Sequence, residues 1–513
     1  LLAQMLMACN DNAKNTEIAL VSDDAVNIGY GGGEELIKFI CYDNWTISSD
    51  VSWITFGGPT EGSGNAIIKI HIEKNTSGGD RTGKLSITCG GNIKIIEIRQ
   101  SVKTIDIEYK HPSILYTKEE LLNIKQMVEG NSSASITTTY NNLMKRCNNA
   151  LTYTAAPYTG QDPTKFIEES YVPGSNSRDL ALAYWFTGDK KYARKSIEII
   201  EVWAKACKDI SYVADAGSAM YLTRGMYPMV CAYDMLISEN IMSDETKKNI
   251  TDWFQVLYRE GMISINLWED NDYFNKQYYQ NHLVAHSMGI LMLGLATDND
   301  ELVQFAIDSP ANPRDVKELL SGCILMDGDT PCSREKAGSA PPVKGEIYDR
   351  YRHDTGPLKG LQYTHLTLTL LSTTARMCYN NGLDLFAYTA PTGENLRYCF
   401  EYYSDFYRSM DSCIKSGYYC GETERMTKAG DNPGMYEMGL RYYPDSEPIR
   451  QLINSGTFNR ESSYMDLFFQ QKLTNNSKVI DYEKIYFRPL DKVIYDNDRY
   501  RAVRSVCRSF AIM

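Results

Sequence analysis

The chain has 513 residues, 43% of them hydrophobic and 23% charged, a balance that excludes an intrinsically disordered protein. Its formal net charge of −12 excludes a general nucleic-acid binder, whose footprint is basic, so no nucleic acid partner is expected. No apolar run approaches the ~18 residues of a membrane-spanning helix, and the length is that of about two to four domains.

Read from the amino end, "LLAQMLMAC" is the tail of an apolar signal segment over residues 1–9. Leu6, Met7, Ala8 and Cys9 resemble a bacterial lipobox, which implies a lipidated Cys9 and a cell-envelope lipoprotein, periplasmic or on the outer surface. Contact with the membrane is then expected only through that lipid anchor, and residues 10–24 read as a linker. The remaining cysteines of the 13 are spread singly with no CxxC pair, so neither a zinc ribbon nor a dense disulfide scaffold is expected.

Residues 25–102 read as all-β. Short alternating runs ("LIKFICY", "AIIKIHIEK", "KLSITCG", "IKIIEIRQS") are separated by Gly, Asn, Asp and Ser, the pattern of one small sandwich. Through Trp45, Trp53, Asn75, Arg81 and Gln100 this stretch resembles the BACON domain that stands at the front of Bacteroidetes carbohydrate-active proteins. Trp45 and Trp53 are expected in its core rather than on a sugar platform, because so small a sandwich needs large core side chains. A spacer is the expected role.

Over residues 103–474 the period becomes helical. "SRDLALAYWFTGDKKYARKSIEIIEVWAKACK" repeats apolar residues at i, i+3, i+4 and i+7 over two helices, with a turn at Thr187, Gly188 and Asp189. Similar runs follow, and paired helices without strands predict an (α/α) toroid or incomplete barrel, since no fixed repeat period is present. At 475–513 a β pattern returns and stops inside what reads as a strand, which suggests the start of an antiparallel β-domain cut short.

Two clusters carry chemistry. "QYYQNHLVAHSMGILMLG", residues 277–294, places Asn281, His282 and His286 at the start of an apolar helix, in a chain with only 6 histidines. "GEIYDRYRHDTGPLKGLQYTHL", residues 345–366, adds Arg350, Arg352, His353, Lys359, Tyr363 and His365. Asn, His, Tyr and Arg are the types needed for β-elimination from a uronate polymer. The C5 proton lies beside a carboxylate, so an amide or cation must stabilise the enolate-like state, a base must take the proton and an acid must protonate the departing O4. No metal or cofactor is required, and an acidic polysaccharide is the expected partner of a monomer.

Asn281-His282, followed some eighty residues later by "LQYTHLTLTLL", resembles the α/α-barrel alginate lyases, and "YTHLTLTLLSTTARMCYNNGLDLF" follows that family's later helix. The resemblance runs over residues 112–455. It implies Asn281 as carboxylate clamp, His282 as base and Tyr363 as acid, with Arg350, Arg352 or Lys359 as the accompanying cation. The end of the chain, "RPLDKVIYDNDRYRAVRSVCRSFAIM", instead resembles the β-domain opening of hyaluronate and chondroitin lyases, a mapping that makes His353 the base. The "DGDTPCSRE" run at 327–335 departs from the pattern of both families.

Tyr278, Tyr279, Lys359 and His365 are candidates for substrate binding, although His286 and His365 also read as structural, one turn along their helices. Alternative readings are an α/α-toroid hydrolase, with carboxylates among Asp327, Asp329, Glu346, Asp349 and Asp384, and a non-catalytic glycan-binding surface lipoprotein.

Overall fold

The computed structural model describes residues 18–131, 134–212, 215–269, 279–312, 314–355, 358–408, 417–422 and 434–455. Cys9, Tyr278 and the β-domain expected at 475–513 lie outside the described residues. The chain divides into two compact units, the first reaching Ile105 and including Ser309–Asn312, the second holding the rest.

The first unit is built from β1 (Ala19–Leu20), β2 (Ala25–Ile28), β3 (Gly33–Ile40), β4 (Asn44–Ser49), β5 (Ile54–Phe56), β6 (Glu61–Ser63), β7 (Ala66–Ile72), β8 (Arg81–Cys89) and β9 (Asn92–Gln100). They form two sheets of order β1-β3-β7-β5 and β2-β9-β8-β4-β6. Strict alternation does the sorting: Ile68, Ile70 and Ile72 of β7 are buried while Ile67, Lys69 and His71 face outward. β1 pairs with β3 through Ala19 and Leu20, so the stretch expected to be linker already contributes a strand.

Trp45 is buried edge-on against Phe39 at 5.3 Å, whereas Trp53 is only partly covered, with the Arg81 guanidinium 4.3 Å above its ring. The polar residues of the BACON motif hold the loop ends together. Asn75 donates to the carbonyls of Gly79 and Ser101, and Arg81 donates to Gln100 Oε1, whose amide donates in turn to the carbonyls of Tyr30 and Glu73. A disulfide joins Cys41 to Cys89.

The second unit is helical among its described residues. Its elements are α1 (Lys118–Glu129), α2 (Ala134–Ala150), α3 (Pro163–Thr187), α4 (Lys190–Cys207), α5 (Ser218–Leu236), α6 (Asp244–Glu269), α7 (Asn281–Ala296), α8 (Asp300–Ile307), α9 (Val316–Cys323), a 3-10 turn (Tyr348–His353), α10 (Gly360–Asn380), α11 (Leu396–Arg408), α12 (Gly434–Tyr442) and α13 (Glu447–Asn454). The expected turn after Thr187 is present: Gly188 closes α3 at φ 72°, a left-handed conformation that glycine adopts without strain, and the Asp189 side chain caps α4.

Helices α3, α5, α7 and α10 touch in succession, while α4 packs on α3 and α6, and α6 on α5 and α7. This order follows from the sequence. α4 has one apolar face, but α7 is buried on every side except at His282, as a helix apolar all round must be. Backbones approach closely where α5 meets α7, since a Cβ at Gly289 would lie 2.3 Å from Thr223 Oγ1. That packing positions α7, whose first turn carries Asn281 and His282.

Candidate active site

Helix α7 starts without the usual side-chain cap, because its N-cap residue Gln280 supplies none. A carboxylate from the 3-10 turn takes that role. Asp349 accepts the Asn281 backbone N–H at 2.8 Å and the Thr367 hydroxyl on the same oxygen, Oδ2. An anion at a helix start is favoured by the unpaired amides there. The Asn281 side-chain amide donates to the same carboxyl, 3.3 Å from Oδ1 and 3.5 Å from Oδ2. Asp349 is wholly buried, and burial pushes its pKa up to about 6 even though Arg352, Thr367 and Asn281 pull the other way.

Asn281 is therefore the first helical residue and not the cap. Its Oδ1 is sealed from solvent and accepts no hydrogen bond. Buried acceptors of this kind are rare and call for a reason. Beside it, the His282 ring stacks on Trp268 at 5.1 Å, and its ring nitrogens meet no hydrogen-bond partner among the described residues. Burial, then the charges of Arg352 and Arg224, lower the His282 pKa to about 4 against the opposing pull of Asp215. The imidazole is neutral at any pH well above that value. His286, one turn on, is also buried with both ring nitrogens unpaired, its ring edge-on to Trp268 at 6.0 Å.

Arg352 joins this helix start to Tyr363. Its Nη2 donates to Gln280 Oε1 at 2.9 Å, its Nε lies 3.8 Å from Asp349 Oδ1, and its guanidinium sits 4.7 Å above the Tyr363 ring. Tyr363 stands in the first turn of α10, half-buried, with its backbone N–H donating to Lys359 and its hydroxyl bonded to no described residue. A second cation escaped the sequence reading. Arg224, the one basic residue of α5, acts electrostatically on both His282 and Tyr363 and pairs with no acid among the described residues. A lone cation in a helix otherwise buried was the signal available for it. Trp268, at the end of α6, was also missed.

Other expected site residues are placed elsewhere. Arg350 is fully enclosed and spends every N–H on Glu335, Glu346 and the carbonyls of Ala340 and Pro341, so it has no donor left for a substrate. His365 is buried in the core, bonding the Leu361 carbonyl and the Tyr436 hydroxyl, and its burial lowers the pKa to about 3. Tyr279 directs its hydroxyl to Glu318 and its ring to Tyr348. His353 turns to Glu422 at 2.6 Å and to the rings of Tyr418 and Tyr419, and Glu422 in turn caps α10 through the amides of Gly360 and Leu361. Lys359 is half-buried at the N-cap of α10.

The carboxylates considered for a hydrolase are mostly taken up locally. Asp327 accepts from Lys344, Asp329 from Met326 and Asp384 from Phe386 and Ala387, while Glu346 pairs with Arg350. Among the described residues, no group of three or more His, Cys, Asp and Glu is placed to hold a metal ion.

Comparison with known proteins adds two family matches. Residues 171–412 match the alginate lyase family, and residues 43–101 match BACON, described as a putative N-terminal binding domain. An alginate lyase from Bacteroides ovatus is similar in structure, with 15% identity and a TM-score of 0.55, over 70% of this chain and 99% of that one. At this identity the likeness shows the fold alone. Alginate lyase A1-III from Sphingomonas species A1 gives 15% identity and a TM-score of 0.42 over 55% of this chain and 71% of its own. A variant of alginate lyase A1-III complexed with tetrasaccharide gives 13% and 0.44, over 65% and 88%. Among curated protein sequences none matches.

Proposed function

With a BACON module at residues 43–101 and the alginate lyase match at 171–412 as premise, we propose that this chain depolymerises a uronate-containing polysaccharide, alginate first among them, by β-elimination that needs no metal or cofactor. The lyase class rests on the family match. The residue roles rest on one observation: at the start of α7 a neutral, unpaired imidazole adjoins a buried amide, faced by Arg352, Arg224 and an unpaired tyrosine hydroxyl.

In this reading the uronate carboxylate lies against Asn281 and Arg352, which stabilise the charge that builds up as the C5 proton leaves. His282 takes that proton. The C5–H electron pair becomes the C4=C5 double bond as the C4–O4 bond breaks, and Tyr363 protonates the departing O4. The proton on His282 then passes to solvent, and Tyr363 is reprotonated from it. One rigid helix start fixes clamp and base relative to each other, which removes an entropic cost from the step.

The helices α3, α5, α7 and α10 with their outer partners fit an incomplete (α/α) toroid, and an open groove across it would accept an internal stretch of polymer. The test is a panel of alginate, hyaluronan, chondroitin sulfate and glucuronan, followed by the ultraviolet absorbance of the new double bond. Rising absorbance on one polymer is expected. New reducing ends without absorbance would identify a hydrolase, and binding without turnover on any polymer would identify a glycan-binding protein.

We also propose an envelope lipoprotein anchored through Cys9. The Cys41–Cys89 disulfide fits an oxidising compartment. Changing Cys9 to Ala should move the full-length protein from the membrane to the soluble fraction; its retention in the membrane would refute the anchor.

A further inference from the structure

We infer that Asp349 is a positioning residue that holds the very donors a uronate carboxylate needs, so that substrate binding takes up a proton at Asp349. The inference rests on the lyase reading above and extends it.

Oδ2 of Asp349 is satisfied by the Asn281 backbone N–H and the Thr367 hydroxyl. Oδ1 has only the Asn281 side-chain amide at 3.3 Å and Arg352 Nε at 3.8 Å. Those are the two groups assigned to clamp the substrate. An ionised Asp349 competes for both and also repels an incoming carboxylate at short range, where two like charges cannot both persist at low cost.

A proton on Oδ1 removes the conflict. Asp349 then becomes a donor, and the matching partner on Asn281 is its amide oxygen, which the amide offers by turning over about its Cβ–Cγ bond. That rotation puts the NH2 group where the buried, unpartnered Oδ1 now lies, so that a donor replaces an acceptor at the position assigned to the uronate carboxylate. Arg352 is released by the same proton. The Asn281 backbone amide and Thr367 still hold Oδ2, so α7 keeps its cap.

The surroundings make this proton accessible near neutral pH. The titratable and charged groups facing Asp349 among the described residues are Arg352 and Tyr351 from the 3-10 turn and Cys323 from α9; α7 and α10 face it with Asn281 and Thr367. Arg352 is the cation that opposes protonation among these described groups, and a bound uronate would draw it away. Burial already raises the Asp349 pKa to about 6.

The experiment measures KM against pH, on alginate or on whichever polymer of the panel is cleaved, for the wild type and Asp349→Asn. Wild-type KM should be flat below about pH 6 and rise about tenfold per pH unit above it, the slope of one coupled proton. Asp349→Asn keeps a neutral donor opposite the Asn281 amide oxygen, so its KM should lose that slope. Should this variant fail to fold, calorimetry of alginate tetrasaccharide binding to His282→Ala in buffers of different ionisation heat gives the proton uptake directly, expected to approach one above pH 6. A wild type that cleaves with pH-independent KM, an Asp349→Asn variant that keeps the slope, or binding without proton uptake overturns this inference and leaves the lyase reading intact. A wild type that neither binds nor cleaves any polymer of the panel overturns both.

Discussion

His282→Ala should lower kcat/KM by about 10²–10⁴-fold, the loss typical of removing a general base, with kcat carrying most of it. His353→Ala should cost far less. His353 is engaged with Glu422, whose carboxylate keeps the Gly360 and Leu361 amides when the imidazole is gone. The expected residue of that change is a modest rise in KM through a looser start of α10. The pH profile gives a second check with a definite sign. A base must be deprotonated to work, and burial with Arg352 and Arg224 lowers the His282 pKa to about 4. The acid limb of kcat/KM, which reports the free enzyme, should therefore fall near pH 4 and not in the ordinary histidine range. A near-normal His282→Ala enzyme beside an inactive His353→Ala enzyme would assign the base to His353.

Much of this arrangement was legible in the sequence because period and local motif dictate it. Alternating isoleucines predict the strands of the first unit, and 3.6-residue periodicity with Gly188 and Asp189 predicts the α3–α4 boundary. Asn281, His282 and Tyr363 stand at helix starts, where a short quoted motif suffices to find them. What failed to show was anything set by long-range pairing. Arg350 and Arg352 are two positions apart and chemically identical. Only the fold decides that Arg350 spends its donors on Glu335 and Glu346 while Arg352 reaches Gln280 and Tyr363. Arg224 and Trp268 approach His282 from α5 and α6, more than ten residues away in the chain, and no local pattern announces them. Asp349 reads as a hydrolase carboxylate, and its tie to Asn281 spans 68 residues.

Tyr363→Phe should be as damaging as loss of the base, about 10²–10⁴-fold in kcat with little change in KM, because it removes a single oxygen that acts only when O4 departs. The variant is a clean one. Most tyrosine hydroxyls around this site hold structure: Tyr279 donates to Glu318, Tyr402 to Glu346, Tyr418 to Asp354, and Tyr403 and Tyr419 bond each other. The Tyr363 hydroxyl bonds no described residue, so its removal breaks no hydrogen bond among them, and the thermal midpoint should not move. Its surroundings suit proton donation. As the phenol gives up its proton, negative charge develops on an oxygen whose ring lies under Arg352 and within electrostatic reach of Arg224. The loss should shrink on a substrate whose leaving group departs without help, such as a uronide carrying an acidic phenol at C4. A Tyr363→Phe enzyme that is equally slow on both substrates would assign the tyrosine to positioning, and one that turns over polymer at the wild-type rate would place the acid elsewhere.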